Sequence, residues 1–237
     1  MREQHLVTTA WLADHLADPQ LRLYDATVHL RPATPGPYTV ESGRADYDAG
    51  HIPGAAFVDL ATDLSDPESS LRFTMPKPGQ MVAALSRVGL GNDHRVVVYS
   101  ASTPMWATRL WWMLRASGHT NVQVLDGGIT TWRAEGRAIS TDPSVYPAAV
   151  FRAAPDTNRW ADRHEVLAAI GASNVCTINA LSSAMHTGDA DTNYGRKGHI
   201  KGSVNVQYGD VVDVVNLIRD AGFEQLGLVS DKKKVGE

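Results

Sequence analysis

The sequence predicts an α/β protein made of two tandem units, each a mostly parallel central sheet flanked by helices, with the second incomplete at its C-terminal half. A long-range repeat and an alternation of strand and helix patterns carry this expectation. The tetrad His51-Ile52-Pro53-Gly54 returns as His199-Ile200-Lys201-Gly202, an offset of 148 residues, followed each time by a small residue and an apolar run. Such a spacing is too long for a solenoid and suits a duplicated domain. Trp11-Leu12-Ala13-Asp14 answers Trp160-Ala161-Asp162 at 149, and Asp25-Ala26 answers Asn179-Ala180 at 154, in the same order. Apolar strand runs also alternate with helical periodicity, as βαβ units and a parallel sheet require.

The elements follow in order. Thr8-Thr9 cap a short amphipathic helix through Leu16, and Leu21 to Ala26 alternates as a strand does. Residues 31–43 hold three prolines and two glycines and are expected to form a loop. Pro53 and Gly54 fix a turn before the next short strand. Pro76 to Gly89 predicts a helix with Met81, Val82, Leu85 and Val88 on one side. Arg95-Val96-Val97-Val98-Tyr99 is the strongest strand, continuously apolar as a central strand covered on both faces should be. The loop Ser100 to Pro104 opens a helix that carries Trp106, Leu110, Met113 and Leu114 and stops at Gly118-His119. Val122 to Leu125 is a further strand, and a helix runs from Gly127-Gly128 through Trp132. Residues 139–158 carry three prolines and little periodicity. The domains are therefore drawn as 5–140 and 158–237, joined by a linker at 141–157. In the second, a helix (Val166, Leu167, Ile170), a strand (Val175 to Ile178), a polar loop (Thr187 to Gly198), the second tetrad and a helix (Val211 to Ala221) are expected.

Composition narrows the function. Hydrophobic residues make up 43% and charged residues 20%, ordinary globular usage that lets each unit build a core. A net charge of −4 speaks against nucleic acid as a partner. The start, Met1 to His5, lacks a signal-peptide core, and no apolar run reaches membrane length. One cysteine rules out an internal disulfide framework and suits a reducing cytoplasm. Nine histidines are scattered without helical ligand spacing, so no metal site is expected.

Chemistry is expected where strands end and helices begin, because free N–H groups and the helix dipole form an anion cradle there. In the first unit that place is the Ser100–Met105 loop, with Arg109 about one turn along the helix. Matching Asp231 to Val235 with the start of the central strand puts the equivalent loop of the second unit just past Glu237.

Asp25-Ala26, His51 to Ala55, Val96 to Tyr99 before a loop, Arg109-Leu110-Trp111-Trp112, Gly118-His119 and Val124 to Gly128 with Trp132 together closely resemble the two-domain rhodaneses. The likeness covers residues 5–140 and, more weakly, 158–235. It implies sulfur transfer without a cofactor. A cysteine in the second domain's loop takes sulfane sulfur from thiosulfate, mercaptopyruvate or a related donor as a persulfide, then passes it to a thiophilic acceptor such as cyanide. A loop of converging amides would lower the thiol pKa and steady the persulfide. Ser100 stands where that cysteine would be in the first unit, and the second unit's nucleophile is expected beyond Glu237, so no catalytic residue is assigned.

Ser100, Ser102, Thr103 and Arg109, with Arg196 and Lys197 in the loop before His199, are the substrate-binding candidates. The family's Asp-Ala-Arg triplet reads Asn179-Ala180-Leu181 here, and Met185 lies where a second arginine is sometimes found. The implied partners are a small anionic sulfur donor and a thiophilic acceptor, with a homodimer as one way to cover an unfinished sheet. The rival reading is a non-catalytic rhodanese-like module that binds or regulates. A related phosphatase would need a loop with cysteine and arginine, which is absent.

Several single residues have plain readings. Cys176 is expected in a buried strand, inert. His51 and His199 are expected to brace their turns, and Trp106, Trp111, Trp112 and Trp132 to pack. Lys232-Lys233-Lys234 is expected to be the polar approach to an uncompleted strand or a frayed terminus.

Overall fold

The computed structural model describes residues 5–33, 38–156, 159–190 and 196–206, which fall into two compact units, the first holding residues 5–32 and 38–156 and the second those from 159 onward. The Val211–Ala221 helix and Lys232–Lys234 lie outside the described residues, as does part of the polar loop before the second tetrad.

The first unit is built on a five-stranded parallel sheet. Its strands are β1 (Leu6–Val7), β2 (Leu21–Asp25), β5 (Ala56–Phe57), β6 (Arg95–Tyr99) and β7 (Val122–Leu125), in the spatial order β1-β7-β6-β2-β5. The continuous apolar run of β6 places it at the centre. Val96 and Val98 enter one core, Val97 and Tyr99 the other, and all four are shut off from solvent. A period of two thus feeds two hydrophobic layers from one strand.

Helix α3 (Pro78–Arg87) and helix α4 (Pro104–Ala116) cover the first face, burying Met81, Leu85, Trp106, Leu110, Met113 and Leu114. Helices α1 (Thr9–His15), α2 (Arg44–Ala49) and α5 (Gly128–Ala134) supply Leu12, Tyr47, Ile129 and Trp132 to the second. Each outermost strand is only two residues long. Among the described residues no helix is long and apolar enough to cross a membrane.

The segment 31–43 differs from expectation. Val28–Arg31 (β3) and Thr39–Ser42 (β4) pair as an antiparallel hairpin, His29 opposite Glu41 and Leu30 opposite Val40. The Pro-rich stretch is the connection; Thr39-Val40-Glu41-Ser42 alternates well enough to pair once a partner is present. Gly43 follows because the chain returns against Thr27, where a Cβ would lie 2.4 Å from the Thr27 Cβ.

Residues 141–156 have no regular structure, yet they lie on the first unit. Phe151 is buried in its core, the Phe151 amide donates to Ser86 Oγ, and Tyr146 meets β2.

The second unit contains α6 (Arg163–Ala169), β8 (Ile178–Asn179), α7 (Ser183–Thr187) and β9 (Val204–Asn205), with β8 and β9 parallel. Asp162 caps α6 in a reciprocal box with Glu165. The two tetrads adopt one turn. Ala55 N donates to Ile52 O and Ser203 N to Ile200 O, with Gly54 and Gly202 at φ of 81° and 80°. A positive φ at the third position is the mark of a type II turn, and glycine takes it without strain. Behind each turn the short strand joins its partner in the same way: Val58 N reaches Asp25 O, and Val206 N reaches Asn179 O.

Candidate functional site

The carboxyl ends of β2 and β6 lie side by side, with Asp25 opposite Tyr99 and Ala26 N donating to Tyr99 O. The chain leaves β6 through Ser100, Ala101, Ser102 and Thr103 before entering α4. Pro104 at the first helical position and the Thr103 side chain, which accepts from Met105 N at 3.3 Å, start that helix. Gly128, the first residue of α5, comes close behind: a Cβ there would lie 3.3 Å from Ser100 O.

The loop is held from below by a buried carboxylate. Asp25 Oδ1 accepts from Thr27 N at 2.9 Å and from the Thr27 hydroxyl. Thr27 Oγ1 accepts from Ala101 N at 2.8 Å, and Ser102 Oγ donates to Val28 O at 2.8 Å. The Tyr99 hydroxyl contacts the same carboxylate and accepts from Ile52 N at 3.3 Å. Burial raises the Asp25 carboxyl above the usual range, against the hydrogen bonds from Thr27 and Tyr99. Thr27 was missed at the sequence level. Its signal is the Asp-x-Thr pattern after a strand, an Asx turn in which the carboxylate accepts the amide two residues on. Asn179 repeats this turn, accepting Leu181 N at 2.9 Å.

Ser100, Ser102 and Thr103 are thus gathered in one short loop, and their chemistry is partly occupied. Ser100 Oγ accepts Ser102 N and lies 3.3 Å from Ser102 Oγ. The amides of Ala101, Ser102 and Met105 each point at a hydroxyl of the chain itself.

Arg109 turns elsewhere. Its guanidinium donates to the Phe73 carbonyl, lies 5.7 Å from the Phe73 ring and leaves Nε buried with no partner among the described residues. Burial pulls its pKa below the ordinary arginine value. Phe73 holds a φ of 58°, which few residues other than glycine adopt, and its ring packs on Trp106 at 4.8 Å.

Arg196 and Lys197 are exposed on the second unit, just before the second tetrad. Cys176 is exposed too, which corrects its expected place in the core. The ladder holds only Ile178 and Asn179, so Cys176 precedes the strand at its amino end, beside an exposed Val175.

Both tetrad histidines brace their turns. His51, fully buried, has Nδ1 2.8 Å from Tyr47 O and Nε2 3.1 Å from Asp142 O. His199 donates from Nδ1 to His186 O at 2.7 Å. Trp106 and Trp132 are buried and Trp111 and Trp112 half-buried, as packing residues are. The Nε1 groups of Trp111 and Trp132 donate to the carbonyls of Val122 and Ala138.

Comparisons with known proteins agree with this architecture. A family model described as "Rhodanese-like domain" matches residues 8–135. The thiosulfate sulfurtransferase of Rattus norvegicus is 30% identical over 243 residues, covering 97% of this chain and 77% of the relative. The 3-mercaptopyruvate sulfurtransferase of Escherichia coli K12 is 32% identical over 204 residues, covering 85% and 70%. Among solved structures, SseA from Escherichia coli, described as a 3-mercaptopyruvate sulfotransferase with the rhodanese fold, matches 94% of this chain and 86% of its own at 29% identity with a TM-score of 0.74. With its α/β sheet, its strand-end loop and these relatives, the chain belongs to the rhodanese family of sulfurtransferases.

Proposed function

We propose that this chain is a two-unit rhodanese whose first unit is non-catalytic, and that residues 1–237 do not by themselves turn over sulfane sulfur. Support for two related units, drawn as 5–140 and 158–237 with 141–157 between them, comes from the shared turn, Asx turn and strand pairing. One observation carries the catalytic part: Ser100 follows the central strand at the first unit's counterpart of the family's cysteine position, a loop that the resemblance expects to lack a thiol in the first domain. In the family's chemistry a thiolate attacks the outer sulfur of thiosulfate, forming a persulfide and releasing sulfite. Cyanide then takes that sulfur as thiocyanate and restores the thiolate. A serine hydroxyl is far less acidic and forms no comparable persulfide, so Ser100 does not replace the thiol.

Cys176 is accessible but lies at the amino end of its strand, away from the carboxyl end where amides converge. The donor is a small sulfur-bearing anion and the acceptor a thiophile, in a reducing cytoplasm that suits the single thiol. Arg196 and Lys197 are the candidate donor contacts in the second unit. The decisive measurement is cyanide-dependent thiocyanate formation from thiosulfate and, separately, from 3-mercaptopyruvate. We expect no turnover above the uncatalysed rate. Turnover that disappears in Cys176→Ser would overturn the reading.

A second reading, a module that binds a small anion without transforming it, has one observation in its favour. Arg109 is a largely buried cation whose Nε has no partner and which makes no ion pair with a carboxylate among the described residues. Buried charges are normally compensated. In this reading the anion sits at the Arg109 guanidinium. Sulfate would then raise the unfolding temperature more than chloride at equal ionic strength. An Arg109→Gln variant would lose that difference; if wild type shows none, the reading fails.

A further inference from the structure

We propose that His186 and His199 form a pH-sensitive clasp, which holds the segment carrying Arg196 and Lys197 against α7 at neutral pH and lets it go on acidification. The rings stack with centroids 3.7 Å apart and an interplanar angle of 13°. The His186 carbonyl can only accept, so the proton on His199 is fixed at Nδ1 by the hydrogen bond to it. His186 Nδ1 is buried with no hydrogen-bond partner among the described residues.

The first unit contains the matching arrangement. His51 directs Nδ1 at the carbonyl of Tyr47 and stacks on the Tyr47 ring, with centroids 3.9 Å apart and an angle of 7°. The second unit keeps both contacts and exchanges the tyrosine for a second imidazole. A structural stack has thereby become a pair of adjacent titrating rings.

Two rings this close share their titration. Once one is an imidazolium, adding the second proton sets two cations face to face, so that proton enters with difficulty while the stack persists. The surroundings oppose it further. Arg196 and Lys197 precede His199 and Lys201 follows it. Asp189, beyond the end of α7, is the acidic group described there, and its carboxylate accepts the Thr187 hydroxyl at 2.7 Å. Desolvation and His199 both hold His186 below the ordinary histidine range.

A group whose pKa falls on folding stabilises the folded form above its unfolded value and withdraws that support as the pH drops. Acid therefore favours separated rings. The hydrogen bond from His199 to His186 O is lost with them, and with it the tie between the turn and α7.

The test follows the histidine ring signals of the full chain by NMR from about pH 8 to about pH 5, together with exchange of the Ser203 and Val204 amides. These amides donate to Ile200 O and Thr177 O and report the turn and the β8–β9 ladder. We expect the His186 ring to titrate below the ordinary histidine range, with both amides losing protection as it does. In His186→Tyr, which copies the Tyr47–His51 stack, both amides should stay protected across the range. A wild-type His186 ring that titrates in the ordinary histidine range, with amide protection unchanged throughout, would overturn the proposal even if the variant did not fold.

Discussion

The Tyr146 hydroxyl accepts the Leu23 amide at 3.0 Å. Leu23 lies on the stretch of β2 that β5 is too short to cover, since β5 pairs only with Tyr24 and Asp25. Tyr146 therefore serves as the missing strand partner. The same hydroxyl donates to Gly54 O at 2.7 Å, and the Arg22 guanidinium lies 4.6 Å from the Tyr146 ring. A segment without regular structure is fastened to the sheet and to the first tetrad at one point.

Tyr146→Phe should keep the ring and remove both hydrogen bonds, leaving a buried strand amide without an acceptor. The expected loss is about 1–3 kcal/mol, read from urea unfolding followed by tryptophan fluorescence. Unchanged stability would show that the strap contributes packing alone.

Asp25→Asn should be tolerated. The carboxyl is pushed above its usual range chiefly by burial, and Asn179 makes the same Asx turn without a charge. An acid whose pKa rises on folding weakens the folded state above that pKa, so removing the charge offsets the loss of a stronger acceptor. Neutral-pH stability should stay within about 1 kcal/mol of wild type. The variant should lack the gain in stability that wild type obtains from protonating Asp25 under acid conditions. A collapse of the fold at neutral pH would mean that Thr27 and Ala101 need the ionised group.

Stability of the first unit should fall as the pH drops below about 6.5. Burial lowers both His94 and His119; the Arg22 guanidinium adds to the effect at His94, and the charge of His94 adds to it at His119. The unfolded chain then binds protons first, so the stabilising contribution is complete above 6.5 and lost below it. His94 Nδ1 accepts from Gly91 N, which leaves the neutral ring's proton on Nε2, 2.8 Å from Arg22 Nη2, so a second proton at Nδ1 would meet the Gly91 donor. Unfolding midpoints measured across this range should decline in wild type and decline less steeply in His119→Gln, where the His94 contribution remains. A midpoint independent of pH would refute the assignment.

Iodoacetamide should modify Cys176 readily in the native protein, because the side chain is exposed. Alkylation should leave the unfolding midpoint unchanged. Resistance to alkylation under native conditions would place the thiol back in a core.

The sequence was most legible where one strand or helix declared its own environment. Val96 to Tyr99 could be assigned to the middle of a sheet because only burial on both faces tolerates such a run. The tetrads were legible because proline and glycine fix a turn locally. The β3–β4 hairpin was not: its pairing depends on residues on both sides of a Pro-rich connection, and nothing local distinguishes Thr39 to Ser42 from a loop. Cys176 was misplaced for a related reason. Val175-Cys176-Thr177-Ile178 is apolar enough for a strand, but its ladder reaches only as far as β9. At the strand-end loop, the sequence located Ser100, Ser102 and Thr103 but not the direction of Arg109. That direction depends on Phe73, which lies 36 positions away in the chain.

The outermost strands of the first unit, Leu6–Val7 and Ala56–Phe57, give the sheet almost no margin on which another chain could add a strand. Extended open margins are templates for fibrils and for uncontrolled oligomers. In this unit the long strands are interior, and each margin is closed after two residues. The five-stranded sheet therefore offers little for strand addition, and a partly unfolded population should be slow to seed cross-β assembly from it.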